Sequence, residues 1–417
     1  MATRISLDIA TLSPRGHGLG KAASGLIEVP FTLPGEAIDA EVEGARARLL
    51  TLRRSAPERV SPPCVHFGNC GGCSLQHFDL SAYGEWKRSL ILSALSKRGL
   101  SPPVLPLVDA HGRGRRRIVL HARPDPSGEP RVGFMAERSH DLIDIHDCPV
   151  LAPELALAIP AARELAKLLT SFNPALDLQF TAVLGGLDCD IRGLPRKTTF
   201  PLDEAARICA RHGVLRLSLH GETAIASGSP SIDCGGTHVP VPPGAFLQAT
   251  AAGEEALAAF ILRHAHGAKR SADLFCGIGT FTLRLARQAW VQAVDSDRVA
   301  LSALAMAVRN ARGLKPVTTL RRNLFAEPLT KPDFDTFDLV IFDPPRQGAQ
   351  AQAKELARSR VRRVIAISCF PATFARDAAI LVEGGYTLEE VLPIDQFKWS
   401  AHVELAAMFV KSSKPRR

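Results

Sequence analysis

The sequence has no long apolar run. No stretch of about 18 residues, the length a membrane span requires, is free of charge, proline and glycine. The first residues, MATRISLDIATLS, lack the apolar centre of a secretory signal. The chain is therefore expected in the cytoplasm. In that compartment disulfides are a poor explanation for nine cysteines, and metal binding or catalysis is a better one. An acidic excess is missing too. Lys and Arg outnumber Asp and Glu by 51 to 42, a net charge of +9. That balance suits a polyanionic partner, most simply a nucleic acid, although a generally basic surface would give the same count. What is present is 417 residues, 46% of them apolar, enough for two or three domains with a sizeable core.

The chain is organised around residues 271–295, SADLFCGIGTFTLRLARQAWVQAVD. Ala272 to Phe275 reads as a strand, Gly277 and Gly279 as its turn, and Phe281, Leu283, Leu285 and Ala286 as the start of an amphipathic helix. Val291, Ala293 and Val294 form a second strand that stops on Asp295. This is a βαβ nucleotide-binding unit with an acid placed for ribose hydroxyls. The third glycine of the dinucleotide pattern is absent, because Thr282 stands there. Pyrophosphate on a helix N-terminus is therefore a poorer ligand than an adenosyl group without phosphate.

Before this unit, residues 1–57 read as a small β module. Gly16, Gly18 and Gly20 punctuate a turn, and Ile38, Ala40 and Val42 alternate with Asp39 and Glu41. With Arg46, Arg48, Arg53 and Arg54 this suits a small nucleic-acid-binding barrel; a β extension that only packs on its neighbour fits the pattern as well. Residues 64–73, CVHFGNCGGC, set Cys64, Cys70 and Cys73 in a glycine-rich polar loop, and Cys148 before Pro149 is the best fourth ligand. Four thiolates suit zinc or an iron–sulfur cluster, and spacing does not separate the two. Three buried thiols would sit badly in so polar a segment.

A mixed α+β middle domain, 58–240, follows, with a helix near 83–98. Arg113, Arg115, Arg116 and Arg117 lead into a hairpin that turns at PDPSGEP, and their charge is expected to meet RNA phosphates rather than form a plain solvated face. Another helix covers 153–169, and short strands fill 177–227. Cys189, Cys209 and Cys234 lack ligand spacing and read as core residues. The prolines of VPPGAFLQAT mark the boundary to residues 241–417. There strands near 317–321, 337–342 and 361–368 alternate with helices at 297–311 and 373–382, and strands near 386–392 and 402–410 close the chain. The expected fold class is α/β: a C-terminal Rossmann-like sheet with an antiparallel edge, a small N-terminal β-barrel and the middle domain.

Reacting groups in such sheets gather at the carboxyl ends of strands. Asp295, Asn323, the Asp343-Pro344-Pro345-Arg346 turn and Cys369 lie there. An aromatic after Asp-Pro-Pro would suggest methylation of an exocyclic amine, and Arg346 argues against it. Cys369, at a strand end before a helix, is expected to be a thiolate nucleophile, its pKa lowered by the helix N-terminus. Period two puts His402 and Glu404 on one strand face. Glu404 is then either a general base or a surface glutamate.

These residues resemble the bacterial uracil-5 RNA methyltransferases across nearly the whole chain, through DLFCGIGTFTL, FDPPRQG, SCFPATFARD, HVELAAMF and the set Cys64, Cys70, Cys73 and Cys148. The resemblance implies an S-adenosylmethionine-dependent enzyme that methylates uracil C5 in RNA, 23S rRNA ahead of tRNA. It implies Cys369 as the nucleophile that adds to C6 and Glu404 as the base. Gln248, Phe275, Thr280, Asp295, Asn323 and Asp343 would line the cofactor or substrate cleft. The first 57 residues would be a TRAM-like RNA-binding barrel. The four cysteines would hold a [4Fe-4S] cluster in preference to zinc, in a structural or RNA-folding role. No membrane and no obligate protein partner are implied, and the chain is taken as a monomer. A non-catalytic RNA-binding protein with a vestigial methyltransferase half is the competing reading, and the intact Cys369 and Glu404 speak against it. The chain departs from the family at Phe370 and Thr280, where Asn is common.

Overall fold

A computed structural model describes residues 3–44, 46–137, 139–169, 175–195 and 200–411. The outer limits expected for the first and last domains, residues 1 and 417, lie outside the described residues. Five antiparallel strands come first: β1 (Thr3–Leu12), β2 (Gly18–Ala22), β3 (Gly25–Val29), β4 (Ala37–Glu43) and β5 (Arg46–Arg54), in the order β3-β2-β1-β4-β5. The first half of β1 pairs with β4 and its second half with β2, and β3 approaches β5, so the sheet curls on itself. Ile38 and Ala40 point into its core as the alternation predicts. Gly18 and Gly20 lie in β2 rather than in a turn. Arg48, Arg53 and Arg54 are paired with Glu41, Asp39 and Asp8 along the barrel surface.

Helix α1 (Leu80–Ser96) follows the cysteine loop and starts on Asp79, whose side chain accepts the N–H groups of Ser81 and Ala82. Strand β6 (Val108–Asp109) comes next. The middle sheet contains β7 (Arg117–Pro124), β8 (Pro130–Met135), β9 (Leu142–Asp144), β10 (Leu176–Val183), β11 (Gly186–Arg192), β12 (Val214–Leu219) and β13 (Glu222–Ala226) in the order β13-β12-β11-β10-β7-β8-β9. Helices α2 (Ala158–Leu168) and α3 (Leu202–Arg211) pack on it over a core that includes Cys189 and Cys209. A hairpin of β14 (Ser231–Asp233) and β15 (His238–Pro240) leads out, with Cys234 buried beside it.

The last part runs α4 (Ala251–Ala265), β16 (Arg270–Leu274), α5 (Thr282–Leu285), β17 (Trp290–Asp295), α6 (Arg298–Asn310), β18 (Val317–Arg321), α7 (Lys331–Phe334), β19 (Leu339–Phe342), α8 (Gln350–Arg358), β20 (Arg363–Ser368), α9 (Pro371–Glu383), β21 (Tyr386–Asp395) and β22 (Glu404–Lys411). The sheet order is β18-β17-β16-β19-β20-β22-β21-β6. Strands β16 to β20 are parallel, and β22 enters antiparallel between β20 and β21. Helices cover both faces, so Leu339–Phe342 is buried at every residue. Leu339 and Ile341 meet Leu257 and Phe260 of α4, while Val340 and Phe342 meet Leu356, Phe374 and Leu381 of α8 and α9.

Two features differ from the sequence expectation. The helix after the glycine turn is one turn long, and all four of its side chains are buried. It is held from several sides. Thr282 donates to Asp273 at 2.6 Å, Arg284 pairs with Glu254 and Glu255 of α4, and Arg287 holds the Gly235 carbonyl at 3.0 Å. A segment so anchored has no wet face to present. Second, the last sheet is not confined to residues after 240. β6 forms its edge beside β21, and Ile91 and Leu95 of α1 join its core. Among the described residues no helix is long and apolar enough to cross a membrane.

Candidate active site

The parallel strands end at a common edge, and the register fixes which residues meet there. Leu274 lies opposite both Val294 and Phe342, so Phe275, Asp295 and Asp343 emerge at one level. Gly277 has φ +54° and no atom within 4 Å of where a Cβ would stand, which leaves an open floor. Gly279 has φ +91°, and a Cβ there would lie 2.3 Å from Leu304 of α6. The Gly277 N–H donates to Asp295 Oδ2 at 2.8 Å, and the Asp297 N–H to Oδ1 at 2.9 Å. The βαβ unit and its acid are thus tied to each other. Asn323 accepts from the Phe325 N–H at 3.1 Å and so shapes the turn after β18, bringing the Phe325 ring 5.2 Å from that of Phe275. Thr280 is partly exposed on the same loop. An open glycine floor, two carboxylates and a pair of rings suit an adenosyl ligand in kind.

Cys369 follows β20, and Glu404 opens β22. Their strands pair antiparallel with Ser368 opposite Leu405, so the next position along the ladder sets Cys369 across from Glu404. Glu404 is 3% exposed and Cys369 partly exposed. His402 precedes the strand instead of sharing its face. It is exposed, with Nδ1 3.3 Å from the Arg346 guanidinium. Burial pushes the Cys369 thiol up to about 11, and the nearby Glu404 and Asp343 carboxylates add to the rise against Arg346. The expected lowering by the helix N-terminus is therefore overturned in the free protein. Burial and the charge of Asp343 hold the Glu404 carboxyl well above the usual carboxylate range, against a hydrogen bond from Gln396. Asp343 is itself pushed up to about 7 by burial and by Asp273.

Gln248 is buried and donates from Nε2 to Asp343 Oδ2 at 2.9 Å. Its segment is held by the arginines of the middle sheet. Arg116 donates to the Gln248 carbonyl at 3.0 Å and pairs with buried Glu254, while Arg117 donates to the Leu247 carbonyl at 2.9 Å and lies over the Phe246 ring. Arg115 lies over the Phe397 ring, and Arg113 pairs with Glu154 on the surface. This corrects the expectation of a phosphate-facing basic edge: Arg116 and Arg117 are committed to internal contacts, because buried acceptors lie opposite them.

A cavity of about 1000 Å³ opens in front of Cys369. It is bounded by the turn after β1, the cysteine loop, α1 and the loop between β21 and β22. Arg15, Lys97, Arg98, Arg115, Arg346 and Lys398 line it against one carboxylate, that of Glu137. Cys73 is in the same wall. Among the described residues no group of three or more His, Cys, Asp or Glu side chains is assembled as a metal-holding set. Cys64, Cys70 and Cys73 of the loop and Cys148 after β9 are nonetheless within electrostatic reach of one another. Burial raises the Cys70 and Cys73 thiols and pushes Cys148 to about 12, with each rise increased by neighbouring cysteines. As a donor set, four soft sulfurs brought near one another, with the Arg115 guanidinium beside Cys73 and Cys148, fit a thiophilic metal group.

Sequence reasoning missed Gln396, Phe325 and the α1 cations. None lies in a motif, and all enter through the packing of distant segments.

Residues 238–412 match the family model described as tRNA (uracil-5-)-methyltransferase. An uncharacterized RNA methyltransferase of Brucella suis biovar 1 is 44% identical over 97% of each chain. The 23S rRNA (uracil(1939)-C(5))-methyltransferase RlmD of Chromohalobacter salexigens is 33% identical over 99% of this chain and 90% of its own. In fold, the tRNA (uracil-54, C5)-methyltransferase of Pyrococcus abyssi, solved with S-adenosyl-L-homocysteine, superposes with a TM-score of 0.75 at 23% identity, over 97% of this chain and 100% of its own.

Proposed function

Since the chain belongs to the uracil-5 RNA methyltransferase family, we propose that it methylates C5 of a uridine in 23S rRNA through a covalent adduct on Cys369, with Glu404 as the base. The observation that carries this reading is the antiparallel register that sets Cys369 across from Glu404 beside a cationic cavity. C5 of uracil is a weak nucleophile. Addition of the Cys369 thiolate to C6 breaks the C5=C6 double bond and leaves C5 enolate-like. S-adenosylmethionine supplies an electrophilic methyl on a sulfonium. Once C5 carries the methyl, Glu404 takes the C5 proton, the C–H electron pair re-forms C5=C6, and the C6–S pair returns to Cys369. Attack at C6 requires the base to be unstacked, so the target is single-stranded or flipped.

Gln248, Phe275, Gly277, Gly279, Thr280, Asp295, Asn323 and Asp343 are assigned to the cofactor and substrate cleft. The first barrel is assigned to RNA binding, a TRAM-like role supported by Arg15 reaching the cavity. Cys64, Cys70, Cys73 and Cys148 are assigned to a [4Fe-4S] cluster that ties the loop to the middle sheet and takes no part in the reaction. The single chain is taken as the acting unit, in the cytoplasm.

The test is incubation with 5-fluorouridine-containing total RNA and S-adenosylmethionine. Fluorine does not leave C5 as a proton, so a denaturation-stable complex is expected. It should vanish in Cys369→Ala, and sequencing the trapped RNA separates 23S rRNA from tRNA. A folded, cofactor-binding protein that traps nothing would overturn the reading. Anaerobically purified protein should contain about four irons, read by iron and sulfide analysis, and Cys64→Ser should lose them.

A further inference from the structure

Gln396 follows β21 and is 1% exposed. Its Oε1 accepts the Ala249 N–H at 2.9 Å, which fixes the orientation of the amide. The nitrogen then donates to Gln248 Oε1 at 2.7 Å and to Glu404 Oε2 at 2.9 Å. Because Gln248 donates onward to Asp343 at 2.9 Å, two amides bridge the two carboxyls of the site. Gln396 is itself held by its neighbour. Asp395 is buried, takes Lys87 of α1 at 2.5 Å and Tyr83 at 2.9 Å, and accepts the Phe397 N–H at 2.9 Å.

We propose that Gln396 is the positioning residue for Glu404, holding Oε2 so that Oε1 takes the C5 proton, and linking that carboxylate to Gln248 and Asp343. The inference rests on the methyl-transfer reading above. It concerns the last step only, in which the C5–H pair forms C5=C6 and expels the Cys369 sulfur. Two effects follow from the geometry. The hydrogen bond removes a rotational freedom from Glu404, and a donor on a carboxylate favours its ionised form. The second effect matters here because Asp343 after β19 and Cys369 after β20 both face Glu404, Asp273 lies behind Asp343, and the cation Arg346 acts on Cys369.

Gln396→Met keeps the length of the side chain and removes the donor. The assay uses total RNA with 5-tritiated uridine from cells lacking the protein. Tritium release should fall about 10- to 100-fold, a covalent RNA adduct should accumulate at steady state, and the KM for RNA should stay within about threefold. The acidic limb of kcat should move up by about one pH unit, because an unbridged Glu404 holds its proton more tightly. Gln396→Asn, whose amide is too short to bridge, gives the same readout if the Met variant does not fold. A folded variant with wild-type tritium release, no adduct and an unchanged pH limb would overturn the proposal. So would a loss of adduct formation in step with turnover, the mark of a merely structural role. If the wild-type protein itself releases no tritium, the function reading falls instead.

Discussion

The ionisation state of Cys369 yields the most exposed prediction. A thiol pushed up to about 11 is only about 0.03% thiolate at pH 7.5, against about 10% for an ordinary cysteine with a pKa near 8.5. The thiolate that does form is intrinsically more nucleophilic, with a Brønsted slope of about 0.4–0.5, which recovers roughly tenfold of that roughly 300-fold deficit. In the RNA-free protein Cys369 should therefore react with a small disulfide reagent about 30-fold more slowly than a free thiol. The assay is a pH series with the Cys369 peptide read by mass spectrometry, which separates it from the other eight cysteines. Restricted access would lower the plateau of such a profile without moving it, whereas a raised pKa keeps the rate climbing through pH 9 to 10. Glu404→Gln and Asp343→Asn each remove a negative neighbour and should bring the plateau to lower pH. A wild-type profile that levels off near pH 8.5, unchanged in both variants, would refute the electrostatic account of the site.

Three further outcomes are expected. Lys87→Met leaves Asp395 buried without its cation, so chemical denaturation should show a loss of about 3–5 kcal/mol, and the Asp395→Asn partner change should recover part of it. Phe370 is 38% exposed in the cavity wall, with the Arg346 guanidinium 5.4 Å from its ring centroid. If a base stacks there, Phe370→Ala should raise the KM for RNA by roughly 5- to 150-fold, equivalent to about 1–3 kcal/mol, with kcat within threefold and Phe370→Trp close to wild type. Asp273 is pushed up to about 7 by burial, from an unfolded value of 3.8. A carboxyl raised on folding contributes stability that is complete below pH 3.8 and declines as the pH climbs to 7. Asp273→Asn should consequently raise the melting temperature at pH 8 more than at pH 4, by up to about 4 kcal/mol in stability.

Local chemistry explains which parts of the molecule were legible from the sequence. The strand at 270–274, the two glycines and Asp295 lie within one βαβ unit, and each carries a backbone or charge requirement that no distant residue alters. Cys369 was legible for the same reason, as a polar residue at the end of an apolar strand. The short α5 was not, since Arg284 reads as an exposed helix residue until Glu254 and Glu255 of α4 are known to lie beside it. The Cys369–Glu404 pair needed β22 to enter antiparallel next to β20, a choice of sheet order that leaves no local trace.

Charge marks the boundary most clearly. The net +9 of the sequence is a sum, whereas RNA responds only to cations left free to meet it. Arg116 finds Glu254 at a separation of 138 residues, and Lys87 finds Asp395 at 308. Both therefore leave the pool available to phosphate. Lys97 and Arg98, at the end of α1 and unremarkable in the sequence, are exposed along the cavity and remain in it. Desolvation decides the division: a buried carboxylate without its partner costs several kcal/mol, so the fold satisfies those acids first and presents what remains. On the proposed mechanism Arg116 and Arg117 consequently act on the reaction indirectly, by fixing the segment that carries Gln248. RNA affinity should be far more sensitive to neutralising Lys97 and Arg98 than to the same changes at Arg116 and Arg117, whose loss should register instead as weaker cofactor binding and lower stability.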